Sequence, residues 1–146
     1  MMLMLYDPAP EARKDVILVV SHERFCAEYV ASALLGAGYG VVIASDVEEG
    51  WELFQRERSW VRVVVIDLLL PGTCHGLDLA RRVRGVAPGT SVLLLTAHRP
   101  PKPLGPGCAM LPKPFRAEAL CFAVRQLVRP GCNLVAATLS GLDQLR

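Results

Sequence analysis

The sequence predicts an α/β domain: a doubly wound parallel sheet of five strands with helices on both faces. Three observations carry this. DVILVV (15–20), GVVIA (40–44), VRVVVID (61–67) and SVLLL (91–95) are short, β-branched apolar runs bounded by turn residues, and CAML (108–111) is a weaker fifth. Their hydrophobicity is continuous rather than alternating, as in strands covered on both faces. Segments of helical period separate them, and strand alternating with helix implies right-handed crossovers in a parallel sheet.

The helical segments follow in order. Cys26, Tyr29, Val30, Ala33 and Leu34 share one face until GAGYG (36–40) stops the helix. That glycine cluster follows a helix and precedes a strand, the reverse of a phosphate-binding dinucleotide turn. Val47, Trp51 and Phe54 mark a second face, opened by Asp46 with Glu49 three residues on in the manner of a capping box. LDLARRVRG (77–85) gives a third helix. Leu120, Ala123, Val124, Leu127 and Val128 give a last one, stopped by Pro130 and Gly131.

A chain of 146 residues is expected to be one domain with an adequate core of its own. Its formal charge of +2 supplies no concentrated basic face, so neither nucleic acid nor a membrane surface is an expected partner. No stretch approaches the roughly 20 apolar residues of a membrane span, and MMLMLY is too short and too plain for a secretory leader. The five cysteines are odd in number, irregularly spaced and without a CxxC pair, so a disulfide framework or zinc knuckle is not expected. A reducing cytoplasm is the expected location.

Asp67 stands inside the apolar run VRVVVIDLLLPG, where a charge is costly unless paired or water-facing. In doubly wound sheets functional residues gather at the carboxyl ends of the strands. Those ends carry Ser21, His22 and Glu23, then Asp67, then Thr96, with Lys113 following the fifth strand in LPKPF. Asp67 is therefore expected to open onto a shared polar pocket rather than to sit in the core.

With ILVV, IDLLLPG, LLLTA and LPKPF in this order and spacing, residues 14–129 resemble the receiver domain of two-component response regulators. The resemblance implies a flavodoxin-like fold with strand order 2-1-3-4-5. It also implies phosphorylation of Asp67 by a histidine kinase, with Thr96 and Lys113 contacting the phosphoryl group and a cis bond between Lys113 and Pro114.

The departures from that family's pattern are equally specific. Members place two acids after the first strand to hold Mg²⁺; Ser21 and His22 stand there, with Glu23 alone nearby. Mg²⁺ requires hard oxygen ligands, and phosphoryl transfer depends on neutralising developing charge. Two readings of His22 stand side by side: a protonated imidazole beside Asp67 that substitutes for the metal, or a surface histidine that touches nothing. Pro100, Pro101, Pro103 and Pro106 crowd the stretch that ordinarily forms the fourth helix, so a proline-rich loop is expected in its place. Met110 occupies the position of the family's switching aromatic, and His75 that of a common Asp.

Weaker signals are set beside these. Pro100 and Pro103 stand in PxxP register, which most simply marks a stiff connection. Leu69 stands where a phosphatase using Asp67 as nucleophile would need a second acid. Cys74, His75 and Cys108 make a metal site only if distant loops meet. Arg81, Arg82 and Arg84 form a basic cluster, read as a solvated face open to an acidic partner. Leu134, Ala137, Thr138, Leu142 and Leu145 suit a short amphipathic helix, which reads equally as a segment pairing with a second copy of the chain, an extra helix packed on the domain or the start of a linker.

The expectation is thus an N-terminal extension (1–13), a receiver-like domain (14–129) and a C-terminal extension or linker (130–146). It is a non-enzymatic signalling module with no catalytic residue, metal or cofactor, whose partners are signalling proteins such as a histidine kinase or an effector. The alternative is a conventional phosphoacceptor receiver that binds Mg²⁺ through Glu23 or solvent.

Overall fold

Six strands make one sheet in the computed structural model, which describes residues 3–4, 15–68, 73–97 and 105–128, with side chains for all of these except 3, 4 and 73–75. In chain order the elements are β1 (Leu3–Met4), β2 (Val16–Val20), α1 (Arg24–Gly36), β3 (Gly40–Ala44), α2 (Val47–Glu57), β4 (Val61–Asp67), α3 (Thr73–Val86), β5 (Ser91–Thr96), β6 (Cys108–Pro112) and α4 (Ala117–Val128). The sheet order is β1-β3-β2-β4-β5-β6. Strands β2 to β6 are the five predicted ones, all parallel and in the expected order 2-1-3-4-5. The fold is flavodoxin-like, with four helices among the described residues.

β1 is an addition to the expectation. It pairs antiparallel with β3, Leu3 opposite Ile43 and Met4 opposite Val42. Backbone groups along an edge strand otherwise lack partners, and a short pairing segment satisfies some of them.

Alternation along each strand divides the core in two. Ile17, Val19, Val41, Val63, Val65, Leu93 and Leu95 pack toward α1 and α4. Val16, Leu18, Val20, Val64, Ile66, Val92 and Leu94 pack toward α2 and α3. Both faces of the sheet are covered, which explains the continuous apolar runs.

The helices follow the sequence with local corrections. In α1 the buried stripe is Ala27, Val30, Ala31 and Leu34, while Cys26 and Ala33 are half-buried. Tyr29, expected on that stripe, is 47% exposed, and its ring packs against Phe115 at a centroid distance of 6.1 Å. At about 100° per residue, position 29 falls on the side of the helix opposite the centre of that stripe, which is why it is exposed. Gly38, at φ +96°, takes the left-handed turn that ends the helix, and Tyr39 N donates to Leu34 O. Asp46 caps α2 by accepting from Glu49 N at 2.8 Å; Glu49 in turn accepts from Ser45 N, one residue before the expected reciprocal position. Gly50 lets α2 approach the sheet, since a Cβ there would lie 2.9 Å from a Val20 methyl.

Among the described residues no helix is long and apolar enough to cross a membrane. The prolines at 100, 101 and 103, the Cys74–His75 pair and the segment 130–146 lie outside the residues whose side chains are described.

Candidate functional site

Parallel register sets the site. Val20 pairs with Ile66, Asp67 with Leu95, and Thr96 with Pro112, so four strands end at one level of the sheet. Backbone bonds extend that alignment past the strands: Ser21 N donates to Ala44 O at 3.0 Å, Leu68 N to Leu95 O at 2.9 Å, and Lys113 N to Thr96 O at 2.8 Å. The Lys113–Pro114 peptide is cis, as the resemblance implied. The sequence-selected residues Ser21, Asp67, Thr96 and Lys113 are thereby brought together.

Asp67 is the centre of the cluster and is only 1% exposed. Of the two ways to carry a charge in an apolar run, pairing rather than exposure to water is the one used: Asp67 meets the other polar strand ends in a closed cluster, not an open pocket. Lys113 Nζ lies 2.7 Å from Oδ1, with its side chain 17% exposed, and Ser21 Oγ donates to Oδ2 at 3.0 Å. A buried carboxylate needs such partners, and these two engage both of its oxygens. Ser21 is itself oriented, accepting from Glu23 N at 3.2 Å in the turn that leads into α1. Thr96 lies buried on the neighbouring strand end.

Cys26 is a member of the site that sequence reasoning placed only on a helix face. Burial pushes its thiol up from the ordinary range, and the nearby Asp67 charge pushes it further; Lys113 and Ser21 act the other way. Its position in the first turn of the helix leaving Ser21 was the available signal, but no pattern rule connects a cysteine there to Asp67.

His22 and Glu23 are exposed. Among the described residues His22 makes no hydrogen bond or ion pair, so of its two readings the surface histidine holds and the pairing with Asp67 is not formed. Lys113 supplies the positive charge instead, because the strand end carrying residue 113 lies across from Asp67 while the chain after Ser21 turns outward into α1. Met110 is buried on β6.

The donor set does not suit Mg²⁺. The Ser21 hydroxyl stands where a hard anionic oxygen is needed, His22 faces away, and both oxygens of Asp67 are engaged by the protein. Among the described residues no three His, Cys, Asp or Glu side chains converge as a metal site.

Comparison with known proteins agrees with this architecture. The sequence profile described as "Response regulator receiver domain" matches residues 17–125. The probable transcriptional regulatory protein TcrX of Mycobacterium tuberculosis is 35% identical over 118 residues, covering 77% of this chain and 49% of that protein. The transcriptional regulatory protein CusR of Escherichia coli is 32% identical over 125 residues, covering 82% and 53%. The chain thus spans about half the length of the curated relatives it matches. Among solved structures, Vibrio cholerae chemotaxis protein CheY4 superposes with a TM-score of 0.68 at 24% identity, covering 78% of this chain and 98% of that one. The receiver domain of the hybrid histidine kinase CckA gives 0.67 at 25% identity, covering 78% and 99%. The aligned strand ends and the matching profile together establish that the chain belongs to the response regulator receiver domain family, a non-enzymatic module of two-component signalling.

Proposed function

We propose that this chain is an atypical receiver of phosphorelay signalling in the cytoplasm, one that acts as a protein-interaction module with weak or absent Mg²⁺-dependent phosphorylation of Asp67. The bond from Ser21 Oγ to Asp67 Oδ2 carries this reading. It puts a neutral donor directly on the carboxylate at the position where the family places a metal-binding acid. With Lys113 on the other oxygen, the acceptor is already neutralised by protein groups. An incoming phosphoryl group would have to displace them without a metal to stabilise its charge. Phe25 is 79% exposed in the first turn of α1, close in sequence to Ser21 and Cys26, and with Tyr29 it offers aromatic surface to a protein partner.

The test is to incubate the protein with acetyl phosphate or beryllofluoride, with and without Mg²⁺, and to look for an adduct on Asp67 by mass and chemical shift. No adduct is expected. Ser21→Asp with His22→Asp is expected to restore a metal-dependent one. A metal-dependent adduct on the unmodified chain would defeat the proposal.

That outcome would favour the second reading, a conventional phosphoacceptor driven by a histidine kinase and using Glu23 or solvent to hold its metal. The observation in its favour is that Asp67, Thr96 and Lys113 occupy adjacent strand ends, with Lys113 within 2.7 Å of the acceptor carboxylate.

A further inference from the structure

β3 is the outermost of the five parallel strands on its side of the sheet, and β1 lies beyond it. Gly40 N donates to Asp15 O and Ala44 O accepts from Ser21 N, so Gly40, Val42 and Ala44 turn their backbone groups toward β2. Alternation along the strand then turns the N–H and C=O of Val41 and Ile43 outward. β1 meets this edge antiparallel, with Leu3 opposite Ile43 and Met4 opposite Val42. Ile43 is therefore the residue that exchanges ladder bonds with Leu3, while Met4 and Val42 form the non-hydrogen-bonded pair.

β1 covers the edge without being built into the core. It is 2 residues long against 5 for β3, and β3 is the element it chiefly touches. The edge is closed in this structure, with Val41 0% and Ile43 8% exposed, so a guest strand must take the place of β1 rather than lie beside it. The surroundings select an apolar guest on both of its faces. Val41 and Ile43 belong to the core under α1, Val42 and Ala44 to the core under α2, and a residue paired with either set lies on the same face of the sheet. The chain's own MMLML (1–5) is apolar at every position, in keeping with that demand.

We infer that the outer edge of β3 is a strand-docking site, closed in the resting chain by β1 and opened when an extended apolar segment of a signalling partner displaces it. Recognition is by β-augmentation, in which main-chain bonds to an exposed sheet edge supply the affinity. A guest as long as β3 exchanges bonds with both Val41 and Ile43, whereas β1 lies only at the level of Val42 and Ile43. That difference lets the guest win against a strand that belongs to the chain itself. β2 separates this edge from the strand that carries Asp67, so docking here is independent of the chemistry at that carboxylate.

Two measurements test this. In the unmodified chain, amide hydrogen exchange reads whether β1 comes off. The outward N–H of Ile43 should exchange about tenfold or more faster than the inward N–H groups of Val42 and Ala44, which β2 holds. Docking is read by titrating an acetylated peptide of residues 1–6, carrying a lysine tail for solubility, into the whole chain bearing Leu3→Pro. That change removes the N–H offered to Ile43 and frees the edge. Saturable amide shifts at residues 41–43 are expected. Binding to the unmodified chain should be about tenfold or more weaker, because β1 competes for the edge. The same peptide N-methylated at the position of Leu3 should not bind. Ile43 exchanging as slowly as Val42, no shift at 41–43 in the Leu3→Pro chain, equal affinity for both chains, or equal binding of the N-methylated peptide would each overturn the inference. Concentration-dependent dimerisation of the unmodified chain with protection of Ile43 would assign the edge to a second copy and also overturn it. No phosphoryl donor is present, so an adduct on Asp67 in the earlier test would defeat that reading and leave this one standing.

Discussion

Ser21 Oγ lies 3.0 Å from Asp67 Oδ2, joining residues 46 positions apart in the chain at the adjoining ends of β2 and β4. A hydroxyl at that distance satisfies the carboxylate; an acid there would repel it. Ser21→Asp should therefore destabilise the fold by about 2–4 kcal/mol without divalent cations, from two like charges sharing a closed site. Millimolar Mg²⁺ should restore much of the loss. Thermal unfolding with EDTA and with Mg²⁺ reads both effects, and a variant indifferent to the ion would contradict the account.

Removing Lys113 leaves Asp67 buried without its cation. Lys113→Met should cost about 3–5 kcal/mol, the usual penalty for breaking a buried pair from one side. Adding Asp67→Asn should recover a large part of this, because the stranded charge is gone. Urea denaturation of the two single variants and the double variant gives the coupling; additive losses would mean the 2.7 Å contact carries little energy.

Cys26 reports the charge of Asp67. Since burial first and the Asp67 carboxylate second hold the thiol up, Asp67→Asn should lower its pKa and speed alkylation at a fixed mildly alkaline pH. Lys113→Met should move it the other way, because the ammonium favours the thiolate. Site-resolved alkylation rates against pH decide this, and a profile unchanged by Asp67→Asn would separate the two groups.

Gly50→Ala tests the seating of α2. The new methyl would come within 2.9 Å of Val20 and 3.3 Å of Leu79, both buried. Overpacking of this kind should cost about 1–3 kcal/mol despite the better helix propensity of alanine. A rise in melting temperature would show that the helix shifts without strain.

Much of this was legible in the residues because the signals were local or periodic. The five β-branched runs became β2 to β6 nearly at their expected limits, since strands buried on both faces must be apolar throughout. Asp46, three residues before Glu49, and Gly38 set the ends of their helices through backbone bonding within a few positions. Asp67, Thr96 and Lys113 were found by their places at strand ends.

The partners of each side chain were not legible, because they depend on direction in space rather than on position in the chain. Charge left open whether His22 pairs with Asp67 or stands on the surface, yet Ser21 is the residue aimed at the carboxylate and His22 faces solvent. Arg84 was read as solvated, yet it caps carbonyls beside Gly107. By itself the sequence determined the five parallel strands and the roster of polar strand ends, since burial and backbone hydrogen bonding constrain those at every residue, while the strand order came from the family resemblance. Only the tertiary structure decided which groups close over the carboxylate, because that follows from the parallel register and from how the chain turns after each strand.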